Sequence, residues 1–263
     1  MSEINNDFEK IGFLILATSN KRDEWKSIKD SYLYNITFKS SFLSISNDKI
    51  NDYIYYIGID KNDRIFDKPE AKEELLRFKK IKSNIDIKFI IFDNNKIPKG
   101  HATVMWNELF KIAYDEDCDY FYQCGDDIEF KTKDWIIDSI KTLKKNNDIG
   151  LTGPINNNNR ILTQSFVSRK HMEIFGWYFP IEIKNWCCDD WYNMVYYPKY
   201  LYPLHNHLAV NLGGQPRYDI NNDKHFTNNN MLFVHNVNNL RKKTDILANE
   251  HKKILEKYIK DNE

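Results

Sequence analysis

The chain has 263 residues, with 38 Lys and Arg against 38 Asp and Glu, so its formal net charge at neutral pH is zero. This length is enough for one large domain with a substantial core, and the balanced charge gives no electrostatic reason to expect nucleic acid as a partner. The sequence has no apolar run of the roughly 18 residues that a membrane span needs, and its N-terminus, MSEINNDFEK, is unlike a signal peptide. We therefore expect a cytoplasmic protein without a transmembrane segment.

The four cysteines do not show the paired spacing of zinc ligands. They are Cys118, Cys124, Cys187 and Cys188. Their pattern predicts reduced, packed thiols, which fits a reducing compartment.

Predicted strands and helices alternate along the first half of the chain. The strands cover residues 11–17, 53–59, 85–92 and 120–124, and the helices cover 23–32, 68–82 and 99–114. The first strand, IGFLILA, is continuously apolar, as in strands that are covered on both faces. This alternation is typical of βαβ units and predicts an α/β fold with a mostly parallel, twisted sheet flanked by helices.

Two nucleotide-binding motifs are missing from the sequence. No Gly-x-Gly-x-x-Gly follows the first strand, and no Gly-Lys-Ser/Thr of a P-loop occurs. A dinucleotide-dependent dehydrogenase and a P-loop nucleotidase are therefore disfavoured.

Polar residues follow the predicted strands where each strand ends. Thr18 and Arg22 follow the first strand, Asp60 ends the second, and Asp126 and Asp127 follow the central strand in YFYQCGDDIEF. Ligands of open α/β sheets bind at the carboxyl ends of the strands, and carboxylates there can hold a hard divalent cation. The simpler interpretations are an ordinary helix N-cap after the first strand and an Asp-Asp turn after the central one.

A second acidic pair occurs in the stretch WCCDDWY. Asp189 and Asp190 lie in the first turn of a helix predicted from about residue 189 to 195, between Trp186 and Trp191. An acidic first turn suits the helix dipole. A carboxylate in such apolar surroundings is also a candidate general base.

The remaining half of the chain is predicted to contain helix 133–145, strands 149–153 and 161–167, an extended segment 196–211 and a C-terminal helix 243–259. His205 and His207 are two residues apart on the extended segment, a spacing that predicts a shared strand face. We expect a single domain over 1–263, with a nucleotide-binding half at about 11–130 and an acceptor-binding half at about 131–240.

The order of these features resembles the GT-A-fold glycosyltransferases, in particular their broad family-2-like group, over residues 11–218. The resemblance is carried by TSN at 18–20, Asp60, the Asn in MWNELFKIAYDEDCDY, GDD at 125–127 and DD at 189–190. Gly125 departs from the family pattern, which has an acid at the first position of its DXD signature.

The resemblance implies an enzyme that transfers a sugar from a nucleotide-diphosphate sugar, with a UDP-sugar favoured, to a hydroxyl of a glycan, a lipid-linked or a protein acceptor. It implies Mn²⁺ or Mg²⁺ bound by Asp127 and His207, with His205 and His225 as alternatives. It also implies inversion of the anomeric centre, with Asp190 as the general base. The donor-binding residues that it implies are Thr18, Arg22, Asp60, Asn107, Asp126 and, as a phosphate clamp, Arg217.

Three other classes of protein share some of these features. A metal-dependent nucleotidyltransferase has a similar sheet and acids, but the segment ATSNKRDEW lacks the glycines of its first loop. A two-metal nuclease or phosphodiesterase would be expected to have a basic surface. A catalytically degenerate carbohydrate- or nucleotide-binding module would account for Gly125.

Overall fold

The computed structural model describes residues 8–45, 51–158, 160–213 and 218, the backbone of 230–236 and the complete residues 237–262. The strands are β1 (Lys10–Ala17), β2 (Asp52–Asp60), β3 (Ile85–Phe92), β4 (Tyr120–Gly125), β5 (Ile128–Phe130), β6 (Leu151–Ile155), β7 (Ser165–Ser168) and β8 (Leu201–Asn211). The helices are α1 (Lys39–Ser44), α2 (Pro69–Leu76), α3 (Ala102–Asp115), α4 (Trp135–Lys144), α5 (Lys170–Phe175), α6 (Cys188–Tyr196) and α7 (Asn230–Asn262).

These strands form one eight-stranded sheet in the order β3-β2-β1-β4-β7-β6-β8-β5. β3, β2, β1 and β4 are parallel to one another, β7 is antiparallel to β4, and β8 runs parallel to β6 and antiparallel to β5. The predicted α/β architecture of GT-A type, with a C-terminal helix, is confirmed.

Both faces of the sheet are covered. The strands are continuously apolar, and successive side chains point to opposite faces, so each face presents apolar side chains to the helices. Phe13 and Tyr122 belong to one core cluster together with Trp135 of α4. Leu14 and Phe121 point to the other face and belong to a cluster that includes Phe110 of α3 and Trp191 of α6. The aromatic residues that stood out in the sequence therefore fill two layers, one on each side of the sheet.

The register places the ends of three parallel strands at one edge of the sheet. Ala17 lies beside Ile59, and Leu16 lies beside Gly125. The strand order reverses between β1 and β4, which is the position where open α/β sheets form a ligand-binding crevice. The residues that follow β1, β2 and β4 are thereby brought together.

The segment predicted as helix 23–32 has a different structure. It contains a 3₁₀ turn at Ile28–Asp30, followed by a π-helix at Leu33–Phe38 that runs into α1. Arg64 donates hydrogen bonds to the carbonyl oxygens of Trp25 (2.7 Å) and Arg22 (2.7 Å). The Arg22 carbonyl oxygen also accepts the N–H of Trp25 (3.0 Å) in a local turn. Tertiary contacts thus accompany a turn where the local pattern predicted a regular helix.

The strand β8 carries a bulge. Pro154 pairs with Leu204 but the next residue, Ile155, pairs with Leu208, so residues 205–207 are three extra residues on β8. Regular alternation of side chains is lost within such extra residues, which have no partner on β6. His205 is exposed, whereas Nε2 of His207 lies 2.9 Å from Asp138 Oδ2 of α4, so the predicted shared face of the two histidines is wrong.

The C-terminal helix α7 is longer than predicted and packs against α5 and α6. Its Ala248 and Leu255 are buried in the second core cluster. Across the described ranges, no helix combines the length and apolar character that crossing a bilayer requires. All four cysteines are free thiols, as predicted.

Candidate functional site

A cavity of about 500 Å³, called the main cavity below, lies at the carboxyl end of β4. Its lining contains two carboxylates, Asp127 and Asp189, and two indole rings, Trp106 and Trp186. Most of the other lining side chains are amides: Gln123, Asn157, Asn158, Gln164, Asn185 and Asn211. Aromatic faces combined with many amide donors and acceptors are suited to a polyhydroxylated ligand.

Asp127 is held where β4 ends by the segment that follows β8. Its backbone oxygen accepts a hydrogen bond from the N–H of Leu212 (3.0 Å). A Cβ on Gly213 would lie 1.7 Å from Asp127 Oδ2, and one on Gly125 would lie 2.6 Å from Oδ1. Both glycines therefore leave room for this carboxylate. Gly125, which departs from the DXD pattern, thus has a steric role of its own.

The neighbouring Asp126 has a different environment. It is fully buried, and the lining of the main cavity includes Asp127 but not Asp126. The structure thus separates the two adjacent acids and presents Asp127 to the cavity.

Thr18 and Asp60 come together, as the strand register requires. The hydroxyl of Tyr218 lies 3.0 Å from Thr18 Oγ1 and also contacts Asp60 Oδ2. Asp60 is only 2% exposed, and burial raises the pKa of its carboxyl group. Its Oδ1 is buried and makes no hydrogen bond within the described part of the chain, so a hydrogen-bond donor from a ligand would satisfy it.

Asp63 organises this side of the site, and sequence reasoning did not single it out. It accepts hydrogen bonds from the Ser19 backbone N–H (2.8 Å) and the Ser19 hydroxyl (2.9 Å). It also accepts bonds from the N–H groups of Ile65 and Phe66, in the manner of an Asx turn. The sequence shows an Asp followed by a predicted turn. Only the fold shows that Asp63 connects the end of β1 to the segment after β2 through its hydrogen bonds with Ser19.

Arg22 is buried between the end of β1 and the segment beside Asp127. Its Nη2 donates to the carbonyl oxygen of Gly213 (2.8 Å) and its Nη1 to that of Lys21 (2.9 Å). Its guanidinium lies over the ring of Tyr32, 5.4 Å from the ring centre. Arg22 therefore supports the close approach of Gly213 to Asp127.

Asn107 is used within the fold, which does not support the predicted donor contact. Its Oδ1 accepts hydrogen bonds from the N–H groups of Tyr178 (3.0 Å) and Phe179 (2.8 Å), and its Nδ2 donates to the carbonyl oxygen of Phe179 (2.8 Å). Its neighbour Trp106, rather than Asn107, lines the main cavity.

His207 is not brought to Asp127, so its predicted role as a metal ligand finds no support in the structure. Its Nδ1 lies 3.2 Å from Thr132 Oγ1 and its Nε2 lies 2.9 Å from Asp138 Oδ2. The pairing of β5 with β8 keeps His207 away from Asp127. Ile128, the residue after Asp127, pairs with Asn211. His207 lies four residues before Asn211 on β8, which is about 13 Å at the usual rise of a strand. His225, the alternative metal ligand, and Arg217, the predicted phosphate clamp, lie outside the described residues.

Asp189, rather than Asp190, lines the main cavity. Burial, and then the charge of the adjacent Asp190, raises the pKa of the Asp189 carboxyl group from 3.8 to about 6. Its Oδ1 accepts a hydrogen bond from the backbone N–H of Asp190 (3.1 Å). Asp190 turns away, and its Oδ1 lies 4.0 Å from Nη2 of Arg160. The geometry therefore favours the first acid of the pair as a proton acceptor, whereas the sequence favoured the second.

The residues present can hold Mg²⁺ or Mn²⁺ only together with a ligand. Within the described ranges, no group of three or more His, Cys, Asp and Glu side chains is placed to bind a metal. Such cations are nevertheless often held by one or two carboxylates plus substrate phosphates and water. Asp127, which lines the cavity beside the glycines that make room for it, suits that arrangement.

One buried polar atom of the main cavity, Oε1 of Gln164, has no hydrogen-bond partner among the described residues. Nε2 of the same amide donates to Thr163 Oγ1 (2.8 Å). A buried polar atom without a partner costs about 1–3 kcal/mol. Oε1 of Gln164 therefore indicates where a ligand would form a hydrogen bond.

Comparison with protein-family models gives no match, and comparison with curated proteins gives none either. Solved structures do match. TarS from S. aureus has a TM-score of 0.50 at 13% identity, over 78% of this chain and 36% of TarS. TarS 1–349 in complex with UDP has a TM-score of 0.51 at 12% identity, over 76% of this chain and 60% of that fragment.

This chain therefore spans between about a third and three fifths of the length of the TarS chains that it matches. At these identities the likeness shows a shared fold alone. It agrees with the GT-A-like arrangement of strands and helices described above.

Proposed function

We propose that this protein is a glycosyltransferase that moves a sugar from a nucleotide-diphosphate sugar to an acceptor hydroxyl. The observation that carries the proposal is that Asp127, at the end of the central strand, and Asp189, at the start of α6, line the same amide- and indole-rich cavity. The solved UDP complex of a chain with the same fold supports a UDP-sugar as the donor.

The donor would extend from the end of β1 into the main cavity. Thr18 and Asp60 would contact the nucleoside, because they meet at the strand edge and Asp60 has a buried oxygen without a partner in the described part of the chain. Asp127 would hold the diphosphate end through Mn²⁺ or Mg²⁺, which would neutralise the charge that develops on the leaving diphosphate. Arg217, outside the described residues, is proposed as a phosphate clamp.

Asp189 would act as the general base. The acceptor hydroxyl loses its proton as its oxygen bonds to the anomeric carbon, while the bond from that carbon to the diphosphate breaks. A carboxylate whose pKa is raised to about 6 is a better proton acceptor than an exposed one and is still ionised near neutral pH. This single displacement would invert the anomeric centre.

The indole rings and the amides would select the sugar. Trp106 and Trp186 offer faces on which the C–H groups of a sugar ring can pack. Oε1 of Gln164 accepts hydrogen bonds only, so it would recognise a hydroxyl or amide N–H of the ligand.

Replacing Gln164 with Leu is expected to weaken transfer without lowering stability. The change removes a buried acceptor that has no partner in the described structure, so the melting temperature should stay the same or rise. The loss of one hydrogen bond to the sugar should lower kcat/KM by about 10-fold.

Steady-state kinetics and thermal unfolding of Gln164→Leu and of Thr163→Val would test this prediction. Thr163→Val removes the oxygen that orients Gln164 and should give a smaller loss in the same direction. Unchanged kinetics in Gln164→Leu would contradict the role of Gln164 in sugar recognition.

Replacing Gly213 with Ala is expected to displace the Asp127 carboxylate. The new Cβ would lie 1.7 Å from Oδ2, so the carboxylate or the segment after β8 must move. A displacement of about 1 Å at a reacting centre can reduce turnover by about 10²-fold. The control is Leu212→Ala, since the side chain of Leu212 is exposed and its removal should leave turnover within a few-fold of normal. Normal metal-dependent donor binding in Gly213→Ala would contradict this placement of Asp127.

Nucleotide-sugar binding tests the function itself. Thermal unfolding would be followed with UDP-sugars and GDP-sugars, each with and without Mn²⁺, and with nucleoside triphosphates for comparison. A transferase should be stabilised by a diphosphate sugar with metal and should slowly hydrolyse that donor. Stabilisation by triphosphates with release of pyrophosphate would indicate a nucleotidyltransferase, and binding without turnover of any donor would indicate a degenerate binding module.

A further inference from the structure

A second cavity of about 310 Å³ lies beside the main cavity, and the two share Asn158 in their linings. Residues 156–158 and 160–164 contribute to the two linings. Its Thr163 and Gln164 face the main cavity, while Ile161 and Leu162 face the second one. A molecule larger than one sugar could therefore occupy both cavities.

The helix α6 connects the two cavities. Asp189 lines the main cavity, and Asn193 lines the second. Four residues along a helix correspond to a rise of about 6 Å. Asn193 Nδ2 donates to the carbonyl oxygens of Asp189 (2.8 Å) and Leu162 (2.7 Å), and its Oδ1 accepts from the N–H of Leu162 (3.1 Å). These bonds fix the distance between the proposed base and the second cavity.

The second cavity combines an apolar floor with basic side chains. Leu201 and Pro203 of β8 supply part of the floor, and Arg160 and His205 are its basic lining residues. No Asp or Glu belongs to its lining in the described ranges. Asp190 approaches Arg160 only to 4.0 Å, and the Arg160 side chain is 64% exposed, so this ion pair is weak. A planar guanidinium binds a carboxylate or a phosphate through two hydrogen bonds.

We propose that the second cavity is an acceptor subsite for a unit that carries an acidic group, either a carboxylate or a phosphate. It would bind the unit next to the one whose hydroxyl reacts at Asp189, with Arg160 contacting the acid and the apolar floor contacting the ring. The assignment as an acceptor subsite rests on the proposed function. The preference for an acidic ligand rests on the lining of this cavity alone.

Direct binding of matched sugars tests the preference. Glucose, glucuronate and glucose 6-phosphate would be titrated into the full chain and followed by ligand-observed NMR. We expect at least one acidic sugar to bind about 10-fold more tightly than glucose, and we expect Arg160→Gln to remove this difference. Arg160 is exposed, so the variant should fold normally. Whether glucuronate or the phosphate ester responds distinguishes the two acids.

The matched control is Arg77→Gln, which removes the same charge from an exposed arginine that pairs with Glu74 at the β3 end of the molecule. This variant should keep the preference. Equal binding of neutral and acidic sugars, or a preference that survives Arg160→Gln, would overturn the proposal.

Donor hydrolysis in the same samples separates this inference from the proposed function. If UDP-sugar is hydrolysed but no acidic sugar is preferred, the subsite is wrong and the function stands. If an acidic sugar binds through Arg160 but no nucleotide-sugar binds, the glycosyltransferase function fails, and the assignment as an acceptor subsite fails with it.

Discussion

Asp127→Asn is expected to abolish metal-dependent donor binding while leaving the fold intact. The amide has nearly the shape of the carboxylate, so it should fit beside Gly125 and Gly213, where space is limited. It lacks the negative charge that a hard divalent cation requires of its protein ligand. Loss of a residue that only supports a metal ligand typically costs about 10–100-fold in affinity. Calorimetric titration of UDP-sugar with and without Mn²⁺ should therefore show the metal-dependent part of the affinity falling by at least about 10²-fold when the ligand itself is lost.

Two other variants make this result specific. Asp115→Asn removes an exposed carboxylate that pairs with Lys111 and should leave donor binding unchanged. Asp126→Asn tests the adjacent buried acid. If Asp126→Asn abolishes the metal effect and Asp127→Asn does not, the ligand is Asp126 and the proposed arrangement of the donor is wrong.

Asp189→Asn is expected to lower turnover by about 10²–10⁴-fold, the usual contribution of a general base. Donor affinity should hardly change, because the donor would be held by the strand edge and Asp127. The turnover of the unaltered protein should rise with pH through about 6, where the Asp189 carboxyl group ionises, and this limb should be absent in the variant. Kinetics between pH 5 and 8, with donor affinity measured separately, provide the test.

Asp190→Asn is the matched comparison for the base. Asp190 does not line the main cavity, so its variant should keep turnover within about 10-fold of normal. If turnover falls in Asp190→Asn but stays normal in Asp189→Asn, the general base is Asp190. A product with the anomeric configuration of the donor would exclude the single displacement altogether.

Asp189→Asn is also expected to change the stability of the fold, by an amount that depends on pH. Asp189 titrates at about 6 in the folded protein against an ordinary value of 3.8, so between these values the folded state binds more protons than the unfolded state. The free energy of unfolding therefore falls as the pH rises from about 3.8 to about 6. Above about pH 6, ionisation of Asp189 causes no further decrease. Asp189→Asn should raise the melting temperature at pH 8 and have little effect at pH 4. A lower melting temperature at pH 8 would show that the ionised carboxylate stabilises the fold.

The sequence by itself determined the first half of the fold and its binding edge. The strand IGFLILA and its parallel neighbours are recognisable because strands buried on both faces must be apolar throughout. Polar residues at their ends can only meet at one edge, since parallel strands finish on the same side of a sheet. Thr18, Asp60 and Asp127 were predicted as site residues from this pattern, and the register of β1 with β2 and β4 places the ends of these strands side by side.

Only the tertiary structure decided which of the other predicted residues reach the site. The spacing of His205 and His207 predicted a shared face, but both lie among the three extra residues of β8, where regular alternation is lost, and His207 contacts Asp138. Asn107 follows a helical pattern in the sequence, yet its amide is satisfied by the backbone of residues 178–179. Adjacent acids on a helix point about 100° apart, so the orientation of α6 alone determines that Asp189 enters the cavity and Asp190 turns toward Arg160. Such choices depend on bulges, on backbone groups that need a partner and on helix rotation, which are set by contacts between residues far apart in the chain.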